Sequence, residues 1–379
     1  MHTSDWHIGK VFRSIGDSAM SVLQQARLDA IGAIGELAMA ENARTVLVAG
    51  DIYDMESPEN KTLAQPLEPM RRFSSVTWHL IPGNHDPDLP NGPWQRLLSI
   101  GLPENVHVHR EAAPFSLDDR TWLLPAPLRQ KHSASDPTAW MDNVVTPHGH
   151  RRIGLAHGSI SDFGSSATTP NLIAPDRAKK AGLDYLALGD WHGTKAINPR
   201  TWYSGAPEPD GFGRTDDGKP ETGQALLVDI KDDAAPSVAA HRTGRLAWLE
   251  EQTTLHGKED IRRLEQRIRE ISPDLSRLVL RLRAEGLLSL ADHDLFERTI
   301  ADTGLAAGLC AFDLKREHLA IRPAEDELDQ LTDDRVIKNA IARLRSIAET
   351  EDHPKRQAAS RAVWHLYLAC HKRRPEVAA

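Results

Sequence analysis

The chain has 379 residues, with 40% hydrophobic and 26% charged residues, a composition that excludes a disordered or fibrous protein. No apolar run reaches the ~18 residues of a membrane span, and the opening MHTSDWHIGK lacks the basic-then-apolar pattern of a secretory signal. The net charge of −8 argues against a passive nucleic-acid coat protein but not against a nuclease, whose site carboxylates are neutralised by bound cations.

In chain order, Ser21–Asn42 places Leu23, Ala30, Ile34, Leu37 and Ala38 at helical spacing. Apolar runs at Thr45–Ala49, Val76–Ile81, Ile153–Ala156 and Tyr185–Leu188 read as buried strands. VHVH at 106–109 reads as a strand with both histidines on one face. The Pro/Gly/Asp-rich Ser204–Gly223 predicts a long loop, and Gln224–Ile230 with Ser237–Arg242 a closing hairpin. After about Leu255 the pattern becomes helix (258–271), strand (276–283), helix (290–303) and strand (309–321), which predicts a small α/β domain. Two helices follow. The first (334–350) carries Val336, Ile337, Ile341, Leu344 and Ile347 on one face. The second (354–372) is basic, with Lys355, Arg356, Arg361, Lys372, Arg373 and Arg374 and no acidic residue in that stretch. Cys310 and Cys370 have no metal-like spacing and predict free thiols in a reducing cytoplasm. The length predicts a main domain with appendages: 1–250, then 257–325, then a helical 326–379.

Five clusters carry chemistry: Asp5-Trp6-His7, Gly50-Asp51-Ile52-Tyr53-Asp54, Gly83-Asn84-His85-Asp86, Ala156-His157-Gly158 and Gly189-Asp190-Trp191-His192-Gly193. Taken singly each is a weak signal, since Asn, Asp and Gly favour ordinary turns. Four of the five, however, directly follow an apolar strand, and residues at neighbouring strand ends converge on one sheet edge. Their Asp, His and Asn side chains suit Mn, Fe, Zn or Mg. Residues i and i+2 of a strand share a face, which would pair Asp5 with His7 and Asp190 with His192. A carboxylate such as Asp51 could bridge two ions, and two ions roughly 3.5–4 Å apart clamp a phosphate for in-line attack. His148 and His150 fit the set less well and read as loop residues, Trp191 as packing beside the site, and Asp54 as a supporting or exposed turn residue.

The ordered set over residues 1–250 resembles the calcineurin-like metallophosphoesterase superfamily, whose pattern is D-x-H, GD, GNHD/E, a single His and GHxH. Within it, HTSDWHIGK, GDIYD and WYSGAPEPDGFG (202–213) are similar to the SbcD-type DNA repair nucleases. The resemblance implies an α/β (α+β) fold: a two-sheet β-sandwich flanked by helices, with an α/β capping domain and C-terminal helices. It implies two divalent metal ions, Mn first, with Mg, Fe or Zn as alternatives. Metal one would use Asp5, His7, Asp51 and His192, and metal two Asp51, Asn84, His157 and Asp190. His85 would face the scissile phosphate as the catalytic residue, and Lys10 and Arg13 would contact substrate phosphate.

The implied function is a DNA exo- or endonuclease subunit in cytoplasmic DNA repair. Its partners would be DNA, an SMC-like coiled-coil ATPase docked on the C-terminal helices, and a second copy in a homodimer, with no membrane. A small-molecule phosphoesterase, or a weakly active metal- and DNA-binding subunit, is the alternative. Two departures stand out. Asp190 occupies a position where the family has histidine, which adds negative charge and hardens the site. Only Met1–Ser4 precede Asp5, so either the first strand is truncated or the native start lies upstream.

Overall fold

The computed structural model describes residues 1–13, 15, 17–160, 170–212, 222–232, 234–272, 274–302, 304–321 and 335–350, together with 355, 358, 359, 362, 363 and 366. They fall into two compact units, one comprising Met1–Arg13 and Asp17–Ala247, the other taking in Ile15 and the described residues from Trp248 onward.

The first unit is a sandwich of two six-stranded sheets. One sheet contains β1 (His2–Thr3), β2 (Thr45–Val48), β3 (Thr77–Leu80) and β4 (Val106–Val108). The other contains β5 (Phe115–Asp118), β6 (Thr121–Ala126), β7 (Arg151–His157), β10 (Tyr185–Gly189), β11 (Lys195–Asn198) and β12 (Thr201–Tyr203). A small pair, β8 (Ser159–Ile160) and β9 (Leu172–Ile173), follows β7 in sequence. The hairpin β13 (Gln224–Asp229) and β14 (Ser237–Arg242) completes the first sheet, in the order β14-β13-β1-β2-β3-β4; the second runs β11-β12-β10-β7-β6-β5. Strands β1–β4 and β6, β7, β10 and β12 pair in parallel; β13 and β14 at one end of the first sheet, and β11 and β5 at the two ends of the second, are antiparallel. This is the two-sheet fold that the sequence predicts.

Strands buried on both faces read as unbroken apolar runs, and TVLV, TWHL and YLALG do so. Leu47, Ala49, Ile81, Leu123, Leu155 and Ala187 fill the space between the sheets. Helix α1 (Asp17–Ala40) covers the first sheet with Leu23, Ala30, Ile34 and Ala38 buried, the face expected from their spacing. The first strand is two residues long, yet it lies at the centre of its sheet between β13 and β2. His2 strengthens the join. Its Nε2 donates to Leu188 O at 3.2 Å, so its Nδ1 must accept, and Tyr185 Oη donates to it at 2.9 Å. A strand of the first sheet is thereby pinned to a strand of the second.

A histidine stack sits beside β5. His79 of β3 is 2% exposed, with the rings of His107 and His109 each 5.2 Å away and Phe115 edge-on at 5.4 Å. Burial, then the neighbouring imidazoles, push His79 down to about 3; burial and His107 push His109 down to about 4. Both are neutral in the folded chain and would protonate near their ordinary 6.5 once unfolded. Their contribution to stability is therefore full above that value and is lost as pH falls below it. We expect the melting temperature to drop between about pH 7 and about pH 5, and to drop less in His79→Leu. Equal drops in the two proteins would contradict this.

The second unit carries a three-stranded sheet of β15 (Ala247–Leu255), β16 (Leu278–Leu288) and β17 (Ala311–Ile321), with β16 and β17 parallel. β15 is a strand the sequence reading does not supply. Helix α2 (Lys258–Ile271) buries Ile261, Leu264 and Ile268 in this unit's core with Leu280 and Leu282. Helix α3 (Leu290–Phe296) is capped by Ser289 Oγ, which accepts from Asp292 N. Helix α5 (Arg335–Thr350) follows α4 (Leu305–Gly308) and packs Ile341, Ile337 and Leu344 beside Leu290 and Val363. Val336 departs from the expected face: it is 76% exposed, one position off the stripe. The basic helix expected at 354–372 lies largely outside the described residues, as do Cys370 and most of the basic residues. Cys310 forms no disulfide among the described residues. No helix among the described residues is long and apolar enough to cross a membrane.

Candidate metal centre

The five clusters meet at one end of the sandwich. Asp5 and His7 follow β1, Asp51 follows β2, and Asn84 and His85 follow β3. His157 ends β7, and Asp190 and His192 follow β10. Their backbones interlock: Asp5 N donates to Gly50 O at 3.1 Å and His7 N to Asp51 O at 3.0 Å. Across the sandwich, Asp190 N donates to the Asp5 carboxylate at 3.2 Å.

The Asp-x-His pairs are not aimed by strand alternation as the sequence suggests. Asp5, His7, Asp51 and Asp190 have φ of 55°, 44°, 53° and 103°, and among the described residues the other non-glycine positions with positive φ are Asn42, Asn91 and Asn171. Asparagine, aspartate and histidine are the side chains that most often adopt positive φ, yet each such position still stores some strain. Backbone strain in this unit is thus concentrated on the candidate ligands. The glycines make room for them. A Cβ on Gly50, itself at φ +86°, would lie 2.5 Å from the His157 ring, and one on Gly83 would lie 2.1 Å from Asp51 Oδ1.

Three imidazoles are each engaged at Nδ1. His157 Nδ1 donates to Ala49 O at 2.8 Å, His7 Nδ1 lies 3.1 Å from Asp54 Oδ1, and His192 Nδ1 lies 3.1 Å from Asp210 Oδ2. At His157 and His192 this arrangement favours the Nδ1–H tautomer and leaves Nε2 as the electron-pair donor, while His7 Nδ1 meets the Asp54 carboxylate as a close contact without hydrogen-bond geometry. Each Nε2 faces the cluster. His7 and His192 approach each other through Nε2 at 3.2 Å, and His157 Nε2 lies 3.2 Å from Asn84 Oδ1 and 3.5 Å from Asp51 Oδ2. His7 Nε2 is also 3.6 Å from Asp51 Oδ2. Two imidazole lone pairs face to face, beside buried carboxylates, form a donor set that calls for a cation.

The electrostatics agree. Burial opposes charge on His157, but Asp51, Asp5 and Asp190 outweigh it and raise it to about 9. Burial and the neighbouring His192 hold His7 low, although Asp54 and Asp51 pull upward, while Asp210 overcomes burial and raises His192. Among the described residues, three triads have ligand atoms within 4.8 Å of one another: Asp5-His7-His192, His7-Asp51-His85 and Asp5-Asp51-His157. Asp5, His7 and Asp51 each appear in two of them, which ties the triads into one cluster. Asn84 and Asp190 complete the cluster, with Asn84 Nδ2 3.5 Å from Asp190 Oδ1. His85 stands edge-on to His7 at 4.8 Å, and its Nδ1 contacts Asp54 O at 3.1 Å.

Supporting residues lie beyond the expected set. Ser4 and Ser159 donate to Asp5 and Asp190, each at 2.5 Å. Asp86 accepts from Ile52 N, Tyr53 N and Gly83 N at 2.9, 3.0 and 2.7 Å, tying the Asp51 loop to the Gly83 turn. Asp210 contacts Lys10, His192 and the buried Arg27 guanidinium, the last at 3.3 Å. Although it is buried, His192, Arg27 and Lys10 hold its carboxyl well below the usual range. Lys10 is therefore ion-paired to Asp210, and Arg13 is exposed. His148 and His150 fall before β7, at the end of that strand opposite to His157, and are not part of the site. Signals for these supports exist in the sequence: an arginine on the apolar face of α1, the last residue of GNHD, and one acidic residue in PEPDGFG.

Carboxylates that orient metal-binding imidazoles commonly contribute 10–100-fold in metal affinity. We expect Asp210→Asn to weaken divalent-metal binding by roughly that factor in a calorimetric titration. Unchanged affinity would show that Asp210 does not act through His192.

Residues 1–194 match the calcineurin-like phosphoesterase family. The match covers just over half of the chain, and the chain belongs to that family. It is also 26% identical over 299 residues to the DNA double-strand break repair protein Mre11 of Haloferax volcanii. The aligned segment is 76% of this chain and 61% of that relative, so the chain spans less than two thirds of its length.

Proposed function

We propose that this chain is a two-metal DNA nuclease subunit of a repair complex. The observation that carries the reading is the convergence of the His7, His157 and His192 imidazoles, each with Nδ1 turned to a carbonyl or carboxylate, on the buried carboxylates of Asp5 and Asp51. The likeness to a DNA repair protein supports DNA as the polymer.

Asp5, His7, Asp51 and His192 would hold the first ion, and Asp51, Asn84, His157 and Asp190 the second. Manganese fits this mixed oxygen and nitrogen set. When bound, such ions would supply Lewis-acid activation of a phosphate and of the attacking water. The chain's own groups do the rest. Ser4 and Ser159 fix the Asp5 and Asp190 carboxylates. His85, held by the Asp54 carbonyl, faces the scissile phosphate and protonates the leaving oxygen or stabilises its charge. Lys10, braced by Asp210, and Arg13 take substrate phosphates.

In this reading residues 1–250 are the nuclease domain, 257–325 a cap over DNA, and 326–379 the seat of an SMC-like ATPase. The chain works in the cytoplasm as a homodimer. The test is cleavage of linear and hairpin DNA with Mn, with Mg and with chelator. Metal-dependent cleavage supports the reading; cleavage of small phosphodiesters alone would replace it with a small-molecule phosphoesterase.

A further inference from the structure

Three of the described tryptophans, Trp6, Trp78 and Trp94, are fully buried, as befits the largest apolar side chain. Trp122, Trp140, Trp202 and Trp248 are half-buried, and Trp191 is the exposed one among the described tryptophans, at 41%, between two candidate ligands. Its backbone has little freedom to turn the indole away. Asp190 N is held by the Asp5 carboxylate at 3.2 Å, and His192 O accepts from Ala206 N at 2.8 Å. The Lys195 ammonium lies 5.5 Å from the indole centroid, on β11. An aromatic face with a cation over it, beside a phosphodiester centre, combines the two elements that hold single-stranded nucleic acid: a stacking surface for a base and a charge for the backbone.

We infer that Trp191 is the stacking platform for the nucleobase next to the scissile phosphate, and that Lys195 neutralises an adjoining phosphate. This rests on the nuclease reading and deepens it. A base that stacks on Trp191 must first leave its own helical stack, so the preferred substrate at this centre is an unpaired or frayed strand. Base stacking on a π-face is tolerant of sequence, so Trp191 selects for a base without selecting which one.

The test compares an oligothymidylate with an abasic tract of the same length, which keeps the phosphates and removes the bases. Wild type should show a KM for the abasic tract about tenfold higher than for oligothymidylate, the size expected for one lost stack. Trp191→Leu should abolish that ratio by raising the oligothymidylate KM, and Trp191→Phe should keep most of it. Lys195→Met should preserve the ratio and lower the salt dependence of binding by about one counterion. A wild-type ratio retained in Trp191→Leu would overturn the inference. If wild type cleaves neither tract, the nuclease reading fails. The same ratio is then read from dissociation constants measured in chelator by fluorescence anisotropy, where its loss in Trp191→Leu supports the platform and its persistence overturns it.

Discussion

Replacing Asp51 with alanine should remove both metal ions and lower phosphodiester hydrolysis by about a thousandfold or more. The ions contribute several kcal/mol of transition-state stabilisation, and each ~1.4 kcal/mol is a factor of ten. Asp51 Oδ2 is the atom near both His7 Nε2 and His157 Nε2, at 3.6 and 3.5 Å, so a single carboxylate oxygen reaches both halves of the cluster. Its other oxygen accepts from His85 N at 2.9 Å, so the change also frees the turn that carries His85. Metal content by elemental analysis and initial rates on the same samples check this. A variant that retains one tightly bound ion would show that Asp51 does not bridge.

The second large effect is His85→Ala. His85 packs on His7 without replacing any of its anchors, and its Nδ1 contact is to a backbone carbonyl. Removing it should leave both ions bound and DNA affinity near the wild-type value. Turnover should fall roughly 10²–10⁴-fold, the usual contribution of a positioned proton donor. The decisive reading is therefore the split between kcat and metal content. A parallel loss of metal would make His85 a ligand, as its inclusion in the His7-Asp51 triad would allow.

Much of this architecture is legible in the sequence because local signals and tertiary demands agree. TVLV and YLALG are apolar on both faces because both sheets bury them, and the candidate ligands fall at their ends because parallel strands deliver their C-termini to one edge. The aim of Asp5 and His7 is less legible. Strand periodicity would point them together, but the chain uses left-handed backbone, held by Gly50 O and Asp51 O, to do so. Those acceptors are more than forty residues away in sequence and leave no local mark. Asp210 and Arg27 are hidden for the same reason. Each reads as an ordinary charge until the fold brings Asp210 against His192, Lys10 and Arg27. Val336 shows the converse limit, since a helical stripe read from sequence is uncertain by one position at its edge.

Asp190 departs from the family pattern without leaving the site. Its carboxylate is held by Ser159 and lies 3.8 Å from His157 Nε2, so an oxygen donor stands where a nitrogen would. The extra charge contributes to the upward shift on His157 and suits a harder ion.

A two-ion centre is tested most directly by titrating metal-free protein with Mn and following hydrolysis of a DNA oligonucleotide. Activity should rise until two ions are bound per chain and then level off. Full activity at one ion per chain, or DNA cleavage that persists in chelator, would contradict it.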